Sequence, residues 1–252
     1  MKQGWKLTLL GVGTYLLFLV INLPAQHALG WLSSDTERLP FTYGRIKGTL
    51  WNGKMEAMSL RKAPLDKMSW DFAPTQLLLG RLGFDVQITH LGQTLHGTLS
   101  QGLTGDIRFS GVTGQLPAEL ITPLIGLAGI DISGQVSLDD ANFNLEDQRL
   151  IQAEGRVLWR GSAITRPFPL KIGDLQAQVS TNPEGQVLMQ IKDMGGPTGV
   201  DGEVSLATDG NFQVNGHIKP GADSDPSLGK ALAAFSKRQP DGSYQVIYRD
   251  RL

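Results

Sequence analysis

The chain has 252 residues, a formal net charge of −1 and no cysteine. This length is enough for one large β-domain or two smaller domains with a sizeable core. The absence of cysteine excludes a disulfide framework, a thiolate metal site and a thiol nucleophile. Because basic and acidic residues nearly balance, a polyanion-binding surface is not expected, and nucleic acid is not an expected partner.

The first predicted element is a membrane anchor. No charged residue occurs between Lys6 and Asp35, and residues 7–23 are almost wholly apolar. A helix over that run would be about 26 Å long, close to the thickness of the bilayer hydrocarbon core. We expect an anchor helix over residues 7–32, whose membrane-facing side chains are Leu7, Leu10, Leu16, Leu17, Phe18, Leu19, Val20 and Ile21, with Trp31 at its end.

The orientation of this anchor follows from its flanking charges. Lys2 and Lys6 both precede the apolar run, so the positive-inside rule places residues 1–6 in the cytoplasm and exports the rest. A cleaved signal peptide is the alternative, but the run exceeds a usual signal core and no clean cleavage site follows it. Residues 33–40 are expected to form a juxtamembrane linker, and residues 41–252 a periplasmic β-domain.

A short pattern of apolar residue, any residue, glycine, any residue, apolar residue recurs eight times after residue 40. Alternate residues of a strand share one face, so the pattern predicts strands with one apolar and one polar face. Glycines on the apolar face allow the sheet to bend or another segment to approach closely. We therefore predict a curled antiparallel sheet, forming an open groove or a partial barrel. The central glycines are Gly48, Gly97, Gly105, Gly114, Gly134, Gly155, Gly202 and Gly216.

Turn motifs at 181–186, 208–211 and 240–243 predict sharp reversals between these strands. Only a few short helices are expected, at 74–79, 117–126 and 225–238. Residues 139–147, "DDANFNLED", have acidic and amide spacing like the start of a calcium loop but lack its glycine and terminal glutamate. We interpret them as a polar hairpin.

Motifs that carry catalysis are not found in the sequence. It contains no G-x-S-x-G, no phosphate-binding loop ahead of a helix and no H-E-x-x-H. The strand histidines His90, His96 and His217 are interpreted as solvent-facing. The sequence predicts no enzyme activity, no cofactor and no metal.

Two motifs resemble those of the type II secretion system protein N family. "GTLWNG" contributes Gly48, Leu50, Trp51 and Gly53, and the later "WDFAPTQLLLG" contributes Trp70, Pro74, Leu77, Leu78 and Gly80. The resemblance implies a single-pass inner-membrane protein of a Gram-negative bacterium, with other secretion components as partners. It would belong to the machine that exports folded proteins from the periplasm across the outer membrane. The motif residues are expected to be structural.

Two functions remain open from the sequence. One is scaffolding of the secretion machinery through protein contacts. The other is binding or transfer of lipid by the apolar concave face, as in large lipid-handling proteins that the glycine-punctuated strands resemble. A concave face filled by its own side chains favours the scaffold, whereas an open apolar trough makes a lipid ligand credible.

Overall fold

A computed structural model describes residues 4–27, 41–60, 63–125, 129–147, 149–166, 169–221, 228–229, 232–233, 236 and 238–251. The helices whose bounds lie within this part of the chain include α1 (Gly4–Ile21), α2 (Thr122–Ile125) and two 3₁₀ helices, Pro74–Leu79 and Ala118–Leu120. The strands are β1 (Phe41–Thr42), β2 (Arg45–Gly48), β3 (Asn52–Leu60), β4 (Ala63–Phe72), β5 (Arg81–His90), β6 (Gln93–Gly102), β7 (Ile107–Pro117), β8 (Asp131–Glu146), β9 (Arg149–Arg166), β10 (Leu170–Thr181), β11 (Val187–Asp193), β12 (Thr198–Leu206), β13 (Asn211–Pro220) and β14 (Tyr244–Arg251).

These strands form a single antiparallel sheet whose order follows the chain. At one edge, β1 and β2 pair with different parts of β3. At the other edge, β14 pairs with β13. Among the described strands, β14 does not pair back to β1 or β2, so the sheet stays open. The predicted mainly β, open antiparallel architecture with few helices is therefore confirmed.

The sheet curls toward its apolar face. Leu120, in the connection between β7 and β8, packs in one buried cluster with Met55 of β3 and Leu65 of β4. Strands β5, β6 and β7 lie between these elements along the sheet. The contact closes only if the intervening strands bend around it. Two further buried clusters, around Leu170 and around Val179, fill the same face in the later strands.

Two glycine sites explain why the pattern contains glycine. Gly114 has φ +136°, and a Cβ there would lie 2.8 Å from the Leu95 Cα of the neighbouring strand. Gly202 and Gly216 face each other across β12 and β13, and a Cβ on Gly202 would lie 2.7 Å from the Gly216 Cα. The first site needs a left-handed backbone and the second needs close approach, and only glycine satisfies both.

The predicted polar hairpin at 139–147 is wrong. Strand β8 continues through that segment to Glu146. Asp140 adopts φ +47°, and its N–H donates to the Thr113 hydroxyl at 3.2 Å. Asn142 accepts from the Gly111 N–H at 2.9 Å. The polar side chains therefore satisfy a bulge inside the strand, and the turn begins only at Asp147.

The short predicted helices at 74–79 and 117–126 are confirmed. The predicted helix at 225–238 falls mostly outside the described residues, within which 228–229 and 232–233 are helical. Helix α1 ends at Ile21, before the expected anchor boundary at residue 32. Within the described residues, no helix combines the length and apolar character needed to cross a membrane.

Candidate functional site

The "GTLWNG" turn between β2 and β3 holds the C-terminal end of α1. The Trp51 indole N–H donates to the Val20 carbonyl oxygen at 2.7 Å. The Leu50 N–H donates to the Leu23 oxygen at 2.8 Å, and Pro24 forms an antiparallel bridge with Thr49. A helix leaves its last carbonyls without partners inside the helix. The turn supplies one of them with a donor and fixes where the helix joins the sheet.

The glycines of this motif are required by packing at the turn. Gly48 has φ +95°, and Gly53 lies directly opposite Trp70 in the neighbouring strand. A Cβ on Gly53 would lie 2.9 Å from both the Trp70 Cε2 and the Lys47 carbonyl oxygen. The Trp70 indole therefore occupies the space that a side chain at position 53 would need, and its N–H donates to the Leu50 oxygen at 3.0 Å.

An aromatic row continues from this turn across the ends of β4 and β5. The rings of Trp51 and Phe72 meet edge to face with centroids 5.0 Å apart. Phe72 meets Phe84 in the same way at 5.9 Å. The Phe72 N–H also donates to the Trp51 oxygen at 2.7 Å. The turn that receives α1 is thus tied to β4 and β5 by both backbone and ring contacts.

Beside this turn the concave face encloses an open-sided cavity of about 450 Å³ with an apolar lining, which we call the trough. Its volume lies within the range of small-molecule sites. The residue Ala25, just after α1, is only 1% exposed and lines the trough next to Leu50. The other lining residues come from β3 to β7 and include Met55, Met58, Leu65, Met68, Trp70, Phe84, Val86, Ile88, Leu95, Gly97, Leu99, Phe109 and Val112.

The backbone of β3 explains how two methionines come to share this face. Met55 and Met58 are three residues apart, which would place them on opposite faces of a regular strand. Ala57 between them has φ +53°, and this irregularity restores both side chains to the trough. The sequence pattern did not indicate this, because the two methionines do not alternate.

The second family motif is divided between structural and exposed positions. Pro74 opens the 3₁₀ helix, and Gly80 ends it with φ +69°. No residue of this helix is buried, and Leu78 is 87% exposed. Leu77 is also exposed. The motif leucines thus do not pack in the core, although a structural role was expected of them.

Predicted anchor residues lie along α1. The described side chains from Thr8 to Ile21 are all exposed, so the body of the helix does not pack on the sheet. This set includes Leu10, Leu16, Leu17, Phe18, Leu19, Val20 and Ile21. Leu7 lies within the helix, and Trp31 falls outside the described residues.

The strongest polar cluster is structural in character. The Arg81 guanidinium donates to Asp106 at 2.6 Å and to the Ser100 hydroxyl at 3.0 Å. Hydrogen bonds from the Thr104 hydroxyl and from Arg81 hold the pKa of Asp106 below its ordinary value of 3.8. This cluster fixes the turn between β6 and β7.

The histidine interpretation needs one correction. The His90 side chain is largely buried rather than solvent-facing, with Nδ1 3.3 Å from the Asp66 carboxylate. His217 lies 3.7 Å from Asp201 and is partly exposed. In the part of the chain that the structure describes, no three His, Asp or Glu side chains gather into a possible metal site.

The fold and the site together define an open-sheet β-protein with an apolar trough and a docked N-terminal helix. The family model for protein N of the type II secretion system matches residues 40–247. The chain therefore belongs to the type II secretion system protein N family, and the resemblance inferred from the two motifs is confirmed.

Curated relatives agree with this assignment. The chain is similar to the type II secretion system protein N of Vibrio cholerae serotype O1, with 28% identity over 233 residues that cover 88% of each chain. It is also similar to the protein of the same name from Aeromonas hydrophila, with 21% identity over 257 residues that cover 100% of each. No solved structure shows a significant match.

Proposed function

We propose that this chain is a non-enzymatic component of the type II secretion machinery, held in the inner membrane of a Gram-negative bacterium. In this proposal α1 is a single-pass anchor with its N-terminus in the cytoplasm, and the β-sheet works in the periplasm. The chain helps export folded proteins across the outer membrane by binding other secretion components. Family membership carries the secretion part of the proposal.

The environment of α1 supports the anchoring part. Its described side chains are exposed on all sides, and the Trp51 contact is made only at its last turn. A helix that is apolar all round requires an apolar environment, and the sheet does not supply one. We place the span within residues 7–32, after a cytoplasmic segment 1–6 and before the linker 33–40 and the domain 41–252.

The free edge of the sheet supports the scaffolding part. Strand β14 pairs only with β13 among the described strands, and Ile247 and Tyr248 expose more than half of their surface. An edge strand presents unpaired backbone groups that can accept a strand from another protein. Periplasmic segments of other secretion components are the proposed partners.

The test is a clean deletion of the gene, complemented by the full chain. Exoproteins are measured separately in the medium and the periplasm, and outer-membrane permeability is scored in the same cells. We expect exoproteins to accumulate in the periplasm behind an intact outer membrane, and secretion to recover on complementation. Normal secretion in the deletion strain would contradict it.

The trough supports a second function, the binding or transfer of lipid. The later half of the concave face is filled by buried clusters, whereas the first five long strands leave about 450 Å³ open with an apolar lining. An acyl chain is the ligand that such a lining suits. Mass spectrometry of lipids that remain with the purified full chain tests this function, and a chain that retains no lipid after mild solubilisation would count against it.

A further inference from the structure

Five exposed leucines lie in two neighbouring turns and at the start of β5, and we call them the leucine rim: Leu77, Leu78, Leu79, Leu82 and Leu103. Leu103 is 96% exposed and Leu78 is 87% exposed. Single exposed leucines are common on soluble proteins, but several in neighbouring segments indicate a contact surface.

The topology places the leucine rim beside the docked end of α1. Strand β3 begins where α1 is docked, and β4 returns to the same end of the strands at Phe72. The Leu77–Leu79 turn then leads into Arg81, which pairs with Gly102 at the end of β6, and Leu103 follows. All five leucines therefore lie at the end of the strands that receives the helix.

The later turns at the same end of the strands have a different chemistry. The turn between β8 and β9 contains Asp147, the one between β10 and β11 contains Glu184, and the one between β12 and β13 contains Asp209. Exposed leucines thus occur in the two turns nearest α1, where the acidic residue Asp106 is paired with Arg81, and acidic residues occur in the three turns farther along. This gradient is expected if, among the turns at this end of the strands, only those nearest α1 meet an apolar surface.

The rim is held firmly while its side chains remain exposed. Gly80 ends the 3₁₀ helix in a left-handed conformation, and the Arg81 side chain, only 10% exposed, clamps the following turn through Asp106. In a 3₁₀ helix, three consecutive side chains point in three directions. Leu77, Leu78 and Leu79 thus present apolar surface in three directions, which suits fluid acyl chains better than a flat protein surface.

We propose that the leucine rim inserts into the periplasmic leaflet of the membrane that α1 enters. The inference rests on the proposed anchor, because α1 is what brings this end of the sheet to the bilayer. Insertion of apolar side chains into the headgroup and acyl boundary is how interfacial segments bind membranes. The rim then fixes the sheet relative to the bilayer and places Ala25 and Leu50, which line the trough, close to the lipid.

Depth-dependent quenching on the full chain tests the proposal. The natural sequence has no cysteine, so single substitutions Leu78→Cys and Leu103→Cys accept an environment-sensitive fluorophore without background. The matched control is Leu91→Cys. Leu91 is also a turn leucine and is 72% exposed, but it lies at the opposite end of the strands, between β5 and β6. Leu17→Cys reports on the anchor itself. Each labelled chain is reconstituted into phosphatidylethanolamine and phosphatidylglycerol vesicles, with and without nitroxide-bearing lipid.

The expected result is about twofold quenching at positions 78 and 103 by nitroxides near the headgroups, with none at position 91. Quenching at 17 together with emission at 78 and 103 that matches 91 would overturn the rim and leave the anchor standing. Quenching at 78 and 103 without any at 17 would overturn the anchor, and with it the proposal that the rim inserts where α1 enters the membrane. A blue shift at 78 without lipid quenching would show a protein contact there and overturn the membrane assignment.

Discussion

The indole nitrogen of Trp51 lies 2.7 Å from the carbonyl oxygen of Val20, and this hydrogen bond joins the turn between β2 and β3 to the last turn of the N-terminal helix. The contact bridges 31 positions of the chain. It gives the tryptophan of the family motif a physical task, because the motif forms the seat for the end of the helix.

Loss of this hydrogen bond should loosen the seat. Trp51→Phe removes the donor but keeps a ring beside Phe72, so we expect docking to weaken by about 1 kcal/mol, or roughly fivefold in equilibrium constant. The double substitution Pro24→Cys and Thr49→Cys measures docking, since these residues form a bridge. The disulfide fraction in a fixed redox buffer should fall with Trp51→Phe.

The control for this experiment is Trp159→Phe. Trp159 also donates an indole hydrogen bond to a backbone oxygen, that of Ser133 at 3.0 Å, but in a distant part of the sheet. Equal disulfide fractions in all three backgrounds would show that Trp51 does not hold the helix.

The glycine opposite Trp70 should not tolerate a side chain. Gly53→Ala would place a methyl group against the indole and the Lys47 oxygen, so we expect a loss of about 1–3 kcal/mol in the free energy of unfolding. Gly199→Ala is the matched control, because the nearest atom to a Cβ there is 3.6 Å away. Urea unfolding of the two variants should differ clearly, and equal midpoints would refute this account of the glycine.

These two positions show how far the sequence could predict the molecule. The repeated glycine pattern indicated an open, curled antiparallel sheet because strand alternation is a local property. It did not reveal that Trp51 reaches Val20, since that contact depends on where the helix lies against the sheet. The Ala57 irregularity and the bulge at Asp140 were also missed, because unusual φ values at non-glycine residues leave little trace in composition.

The exposure of Leu77 and Leu78 could not be read from the sequence either. "PTQLLLG" predicts a short helix with a glycine stop, which is what forms, but a run of leucines is usually taken as core. Only the surrounding strand ends decide that these side chains point away from the sheet.

Filling the trough should displace a bound lipid without unfolding the sheet. Val86→Trp adds bulk to a residue that lines the trough, whereas Gln87→Trp adds the same bulk to the exposed next position of the same strand. We expect the first variant to lose about tenfold of the lipid that co-purifies with the full chain, and the second to keep it. Equal lipid content in two folded variants would exclude the trough as the site.

Acid should weaken the turn that Arg81 clamps. The pKa of Asp106 is lowered in the folded state by the Thr104 hydroxyl and by Arg81, so its contribution to stability is present above pH 3.8 and is lost as pH falls through the lower folded value. The unfolding temperature of Asp106→Asn should therefore depend less on pH below about 4 than that of the natural chain.

Thr104→Val provides the intermediate case for this prediction. It removes the largest cause of the lowered pKa and leaves the Arg81 pair in place. Its acid dependence should fall between those of the natural chain and Asp106→Asn. Identical acid profiles for all three chains would show that this carboxylate does not contribute.

The most direct test of a membrane-anchored secretion component is to exchange the anchor and measure secretion. In the deletion strain, one plasmid carries the chain with residues 1–19 replaced by an unrelated single-span segment, which keeps Val20 and the seat. A second carries the same chain behind a cleavable signal peptide, which releases the sheet into the periplasm. We expect exoproteins to reach the medium with the first chain and to stay in the periplasm with the second. Equal secretion with both chains, at matched protein levels, would contradict it.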